Sequence, residues 1–256
     1  QRQGYQTVLL DPGEENFIKI VMDINSMQFI SLIKSYSNFN FNPTFGLETI
    51  NDFKNLAFPF MSTFFHSTLL SLIGLNSFYV IEFIGIFIFL LVFYKILNLL
   101  NFSKNNSVII TLFIFTIPNI APEINFLFSK EFEMIVYNLK NLYNTRMPRP
   151  LVSNLYFYLY IFMIIKIYIK KSFSIKNAFY LALLSSISLH TFFYFSFIEN
   201  FFLLVTAFAF YKKKIIYHIL DNKRFYITYL IVNLISLFCL IIILKFVSID
   251  NYKIIG

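Results

Sequence analysis

The stretch Phe225–Leu244 reads FYITYLIVNLISLFCLIIIL and holds no charged residue. A helix needs about 20 such residues to cross the hydrocarbon core of a bilayer. Similar runs fall near Asn76–Leu97, Ser107–Phe128, Leu151–Ile169, Asn177–Phe193 and Glu199–Tyr211. A backbone crossing lipid must satisfy its own N–H and C=O groups, so runs of this length become helices. The expected fold is therefore all-α: a polytopic transmembrane bundle of about six to seven membrane helices. Residues 1–55 form an outer-face amphipathic region and residues 56–256 the bundle.

Composition agrees. The chain is 58% hydrophobic and 13% charged, against roughly a quarter charged in a soluble domain. A core of 256 residues cannot hide that much apolar surface, so the excess must face lipid or other helices. The formal net charge of +8 invites a nucleic-acid reading. Its placement argues for topology instead, because Lys and Arg collect in cytoplasmic loops. Lys170, Lys171 and Lys176 separate two apolar runs, and Lys212, Lys213 and Lys214 follow another, with Lys223 and Arg224 just beyond. No nucleic-acid partner is expected. The single Cys239 lies inside an apolar run, with no metal-ligand companion nearby.

Residues 1–55 carry Asp11, Glu14, Glu15, Asp23, Glu48 and Asp52, with Pro12, Gly13, Pro43 and Gly46 as breakers. From Asn16 to Tyr36 apolar residues recur at helical spacing, which predicts an amphipathic helix along the interface. Leu56–Leu75 contains Pro59, His66 and Gly74; it reads as a re-entrant helix or as a span starting after Pro59. The run from Ser107 is broken by Pro118 and Pro122. Asn177–Tyr211 is too long for one crossing and predicts a helical hairpin with its tip around His190–Glu199. The chain opens on Gln1 and stops at Gly256, soon after a span, so a piece of a longer protein is expected.

Placing the Lys170/Lys171/Lys176 and Lys212–Lys214 loops in the cytoplasm puts Lys104 there as well. The N-terminal region, the Ser129–Pro150 loop and the hairpin tip then fall outside. Asp11, Glu14 and Glu15 sit together in LLDPGEENF. A carboxylate there can act as a general base or share a divalent cation with a phosphate; Asp11-Pro12 followed by two acids is equally a good helix start. Arg146 and Arg149 in NTRMPRP can clamp a phosphate or anchor the loop at the interface. His190 is a ligand or a packing residue, and Glu199 a substrate contact or a solvated tip residue. No protein-built transition-metal site or dinucleotide fingerprint is present. Glu82 lies inside a span, where ionisable groups are costly.

The order of these features resembles the integral-membrane glycosyltransferases of the C-type superfold, bacterial lipid-linked sugar transferases above all. LAFPFMSTFFHSTLLSLIGLNSFYVIEF is similar to their proline-bearing segment ahead of a span. YNTRMPRPLVSNLYFYLYIF resembles an arginine-proline loop leading into a span, and NAFYLALLSSISLHTFFYFSFIENFFLLVTAF their aromatic hairpin. The resemblance covers most of the chain but rests on aromatics and prolines. The family's first span and its paired acidic motif have no counterpart here. It implies a bacterial inner-membrane enzyme that moves a sugar from a polyprenyl-phosphate donor to an acceptor at the outer face. Asp11, with Glu14, Glu15 or Asp23 as substitutes, would be catalytic; Arg146, Arg149, His190 and Glu199 would bind substrate. An accessory membrane subunit without chemistry and a small-molecule transporter are the alternatives; a transporter predicts internal repeats, and no convincing repeat is found.

Overall fold

The computed structural model describes residues 5–8, 20–23, 33–39, 60–74, 76–124, 134–136, 139 and 151–246. Its main elements are strands β1 (Tyr5–Val8) and β2 (Ile20–Asp23), then helices α1 (Phe60–Ile73), α2 (Asn76–Leu99), α3 (Lys104–Ile124) and α4 (Leu151–Lys170). These are followed by α5 (Ile175–Thr191), α6 (Phe193–Tyr211), α7 (Ile215–Asp221) and α8 (Lys223–Phe246). The fold is a bundle of membrane helices, as expected.

Its side chains are distributed for lipid rather than water. Phe83, Phe87, Phe197, Phe201, Phe208, Leu234 and Phe238 are all exposed on the outside of the long helices. In water such a surface would drive association; in lipid it is matched to the solvent. Among the described residues four helical segments are long and apolar enough to cross a membrane: Asn76–Leu99, Leu151–Lys170, Phe193–Asp221 and Lys223–Ile242. Two shorter apolar helices, Phe60–Ile73 and Lys104–Ile117, accompany them. This lowers the expected six to seven. At 14 residues α1 is about 21 Å long, short of the roughly 30 Å hydrocarbon core.

The α5 helix, at 17 residues, falls just short of that length. It packs on α8, α4, α6 and α1 and leaves Phe179, Tyr180 and Leu183 exposed. Ala178, Leu181, Ala182, Ser185, Ser188 and Leu189 are all buried. Small side chains let neighbouring backbones approach closely, the usual basis of helix association in membranes. A helix face turned to other helices can carry buried serines and a histidine. Its start is set locally: Ser174 caps it, its Oγ accepting the Asn177 N–H at 3.2 Å. The Asn177 side chain donates to the Ser172 carbonyl at 2.7 Å.

Three corners follow ordinary stop chemistry. Gly74 (φ 62°), Asn101 (φ 66°) and Lys171 (φ 49°) adopt left-handed conformations just past α1, α2 and α4. Helices α2 and α4 run in the same direction. Leu151 packs with Phe89, and Ile165 with Val92 and Ile96. Gly85 permits the close approach: a Cβ there would meet Leu151 Cδ2 at 3.0 Å.

Two further expectations change. Within the proposed amphipathic helix Asn16–Tyr36, Ile20–Asp23 is instead a strand, antiparallel to Tyr5–Val8 with Tyr5 opposite Asp23 and Val8 opposite Ile20. The β-branched Ile20 and Val21 favour a pleated surface once a partner strand exists. Helix is present over residues 33–37, where Ile33 and Tyr36 are buried and Tyr36 packs on Phe60. The second change is in α3, which remains helical through Pro118 and Pro122 rather than breaking there. Membrane helices tolerate proline where neighbouring groups or local adjustment satisfy the freed carbonyls.

Candidate functional site

The long run 177–211 divides at one residue. Phe192 is extended (φ −153°, ψ 96°), and its N–H donates to the Ser188 carbonyl at 2.7 Å, ending α5. Its carbonyl accepts the Phe195 N–H at 2.9 Å, opening α6. The Phe192 ring packs edge-on against Phe195. The expected tip at His190–Glu199 is thereby narrowed to a corner, and Glu199 is not on it.

Glu199 is the seventh residue of α6 and fully buried. Six residues beyond Phe193 corresponds to about 9 Å along the helix axis. The expectation of a solvated tip residue is therefore wrong. The hairpin tip was placed by the length of the run and its aromatic, mildly polar middle, and the true corner at Phe192 sits about two helical turns before Glu199. Ser188 Oγ donates to Glu199 Oε1 at 2.6 Å, joining α5 to α6. Glu199 Oε2 is buried with no hydrogen-bond partner.

A hydroxyl network surrounds it. Tyr160 of α4 donates to the Glu199 main-chain carbonyl at 3.0 Å and shares a 2.8 Å hydrogen bond with the Tyr229 hydroxyl of α8. Tyr229 donates to Asn200 Oδ1 at 3.1 Å. Ser185 and Ser196 share a 3.1 Å hydrogen bond between α5 and α6. These groups together link four helices, α4, α5, α6 and α8. The serines, Asn200 and both tyrosines were missed from sequence. The available signal was polar residues at i, i+3 and i+4 inside apolar runs: Ser185 with Ser188, and Ser196 with Glu199 and Asn200.

His190 lies in the last turn of α5, buried, with Nδ1 and the Ser186 carbonyl 2.8 Å apart. It is a packing residue beside the corner rather than part of the Glu199 network. Nearby, α1 packs on α2 and α5, and Phe65 rests edge-on against Tyr156 of α4. That helix buries Ser62, Thr63, His66 and Ser67. The first residues of α4 add buried Ser153 and Asn154, and the end of α5 adds Thr191. His66 Nδ1, Ser153 Oγ and Thr191 Oγ1 are buried without partners. This polar end is opposite the lysine-rich one.

The lysine-rich end is locked by aromatic packing. The His218 ring stacks on Tyr211 at 3.6 Å and meets Phe173 at 4.5 Å. Its Nε2 is 3.0 Å from the Tyr226 hydroxyl, which lies 2.9 Å from that of Tyr168. The connection after α4 and the segment between α6 and α8 are thus held side by side. Lys170, Lys171 and Lys176 come from the first, and Lys212, Lys213, Lys214, Lys223 and Arg224 from the second. Lys104 begins α3, just past the end of α2.

Asp11, Glu14, Glu15, Arg146 and Arg149 lie outside the described residues. Among the described residues no group of three or more His, Cys, Asp or Glu side chains could hold a metal ion. Glu82 is exposed on α2, three residues before Gly85, which is level with the start of α4. That puts Glu82 at the polar end opposite the lysines and accounts for its tolerance. No family model, curated protein or solved structure matches this chain.

Proposed function

We propose that this protein is a membrane glycosyltransferase that moves a sugar from a polyprenyl-phosphate donor to an acceptor at the outer face, in the bacterial inner membrane. The observation carrying the reading is the polarity of the bundle. Cationic loops gather at one end, which the charge rule assigns to the cytosol. Buried histidine, asparagine and hydroxyl groups gather at the other, and Arg146 and Arg149 precede α4 at that end by only a few residues.

A lipid-linked donor suits such a molecule. Its tail can lie along the exposed aromatic and aliphatic faces while polar loops take the sugar and phosphate. Asp11 would accept the proton of the acceptor hydroxyl, with Glu14 or Glu15 as the alternative base. A guanidinium of Arg146 or Arg149 would stabilise charge on the leaving phosphate. The carboxylates and the phosphate could also share a divalent cation, which would hold donor and base together.

The test is sugar transfer in membranes supplied with a polyprenyl-phosphate sugar. Asp11→Ala and Arg146→Ala should each lower transfer by about 10²-fold, the usual scale for a lost base or a lost charge-stabilising group. Unchanged transfer in both variants removes the assignment, and no transfer with any donor removes the enzyme class.

A further inference from the structure

The Glu199 network uses none of the residues invoked above and asks for its own explanation. A carboxylate in a dry helical interior is tolerated when a positive charge or a proton compensates it. The helices packed on α6 are α4 and α5, and α8 reaches the network through Tyr229. The groups they bring are Tyr160, Ser185, Ser188 and Tyr229, with Ser196 from α6 itself. Among the described residues only the Ser188 and Ser185 hydroxyls interact with the carboxyl group; no cationic side chain does. His190 is turned to the Ser186 carbonyl of its own helix. Oε2 is fully buried and has no partner. Among the described residues, then, no side chain supplies the compensating charge.

We propose that Glu199 Oε2, with the surrounding hydroxyls, is a binding site for a small monovalent cation, sodium or a proton. The donor set is oxygen throughout: carboxylate, serine and tyrosine. Hard cations choose such ligands, and with no thiol or imidazole in contact it does not suit a soft metal. A single carboxylate matches a single positive charge, so binding leaves the interior neutral. Ionisable groups inside membrane bundles generally mark ion or proton pathways. Here the carboxyl of α6 is held from α5, and the tyrosines of α4 and α8 join the same network, so occupancy would tighten the contacts of α4, α5, α6 and α8 together.

The experiment uses the full chain in lipid nanodiscs. Its melting temperature is followed against sodium chloride, with choline chloride holding ionic strength constant, and separately against pH. For a sodium occupant, sodium raises the melting temperature; for a proton, acid does. Glu199→Gln keeps the shape and removes the charge, so it should flatten whichever response the native protein shows. Infrared difference spectra of the native protein should show a carboxyl band changing with the same variable, a readout that holds even if Glu199→Gln does not fold. Identical responses in the native chain and the Glu199→Gln variant, or a carboxyl band indifferent to both sodium and pH, overturn the proposal.

Discussion

At the scale of single residues, the two hydrogen bonds that reach Glu199 are not equivalent. Tyr160 donates to its main-chain carbonyl, which, in the interior of a helix, already accepts the N–H four residues on. Removing that hydroxyl leaves no group stranded. Ser188 donates to Oε1, on a carboxyl whose other oxygen has no partner. Removing that hydroxyl strips the buried acid of its shortest hydrogen bond. Interhelical hydrogen bonds in membranes average about 0.6 kcal/mol and reach about 1.7, while stranding a buried polar group costs about 1–3 kcal/mol. Tyr160→Phe should thus lower unfolding stability in detergent by less than about 1 kcal/mol, and Ser188→Ala by about 1–3 kcal/mol. Denaturant titration of both variants checks the order; equal losses would mean that the tyrosine pair, not the acid, organises the network.

At the scale of elements, the decisive helix is α5. Its buried face of Ala178, Ala182 and Ser185 faces a cluster containing Phe225 and Tyr229 of α8 and Tyr160 of α4. Ala182 is fully buried there. Adding methylenes to a packed interior forces side chains off their preferred rotamers, typically at 1–3 kcal/mol. Ala182→Leu should lower unfolding stability by about 1–3 kcal/mol, whereas the same change at an exposed α6 position, Val205→Leu, should leave it within about 0.5 kcal/mol. Denaturant titration reads both, and equal effects would show that α5 does not carry the bundle. Helices α2, α4 and α8 were legible in the sequence because each must face lipid and so keeps an unbroken apolar run. The α5 run was legible too, as Asn177–Phe193, but its buried polar face was not, because a face turned to other helices needs no apolar surface. The corner was legible only as the range His190–Glu199. No glycine or proline stands at Phe192, and the break is set by ring packing and by two main-chain hydrogen bonds. The Ile20–Asp23 strand was misread for a related reason. Its pairing with Tyr5–Val8 is a non-local contact, which helical spacing in one window does not register.

At the scale of the whole molecule, polarity along the bundle axis is what ties fold to function. Seen in sequence, the lysine loops were separate signals. In the fold, His218, Tyr211, Phe173, Tyr168 and Tyr226 clasp two of them together, and the packing of α2 along α4 brings the third, at Lys104, to the same end. A single crossing direction for α4 therefore fixes the side of all three. The lone cysteine makes this measurable. Cys239 is exposed on α8, so Cys239→Ser supplies a thiol-free background. Single cysteines replacing Lys104, Lys171 and Lys213 should react with an impermeant maleimide from one face of sealed vesicles, and one replacing Phe192 from the other face. If Lys104 labels with Phe192, the parallel packing of α2 and α4 is wrong and the polar end loses its meaning. The same vesicles extend the test to the transfer reading, which needs acid and guanidinium groups on one side. Cysteines replacing Glu14 and Arg149 should label together with Phe192. Labelling of those two from opposite faces would separate base from phosphate clamp by the full width of the membrane, and no single transfer site could contain both.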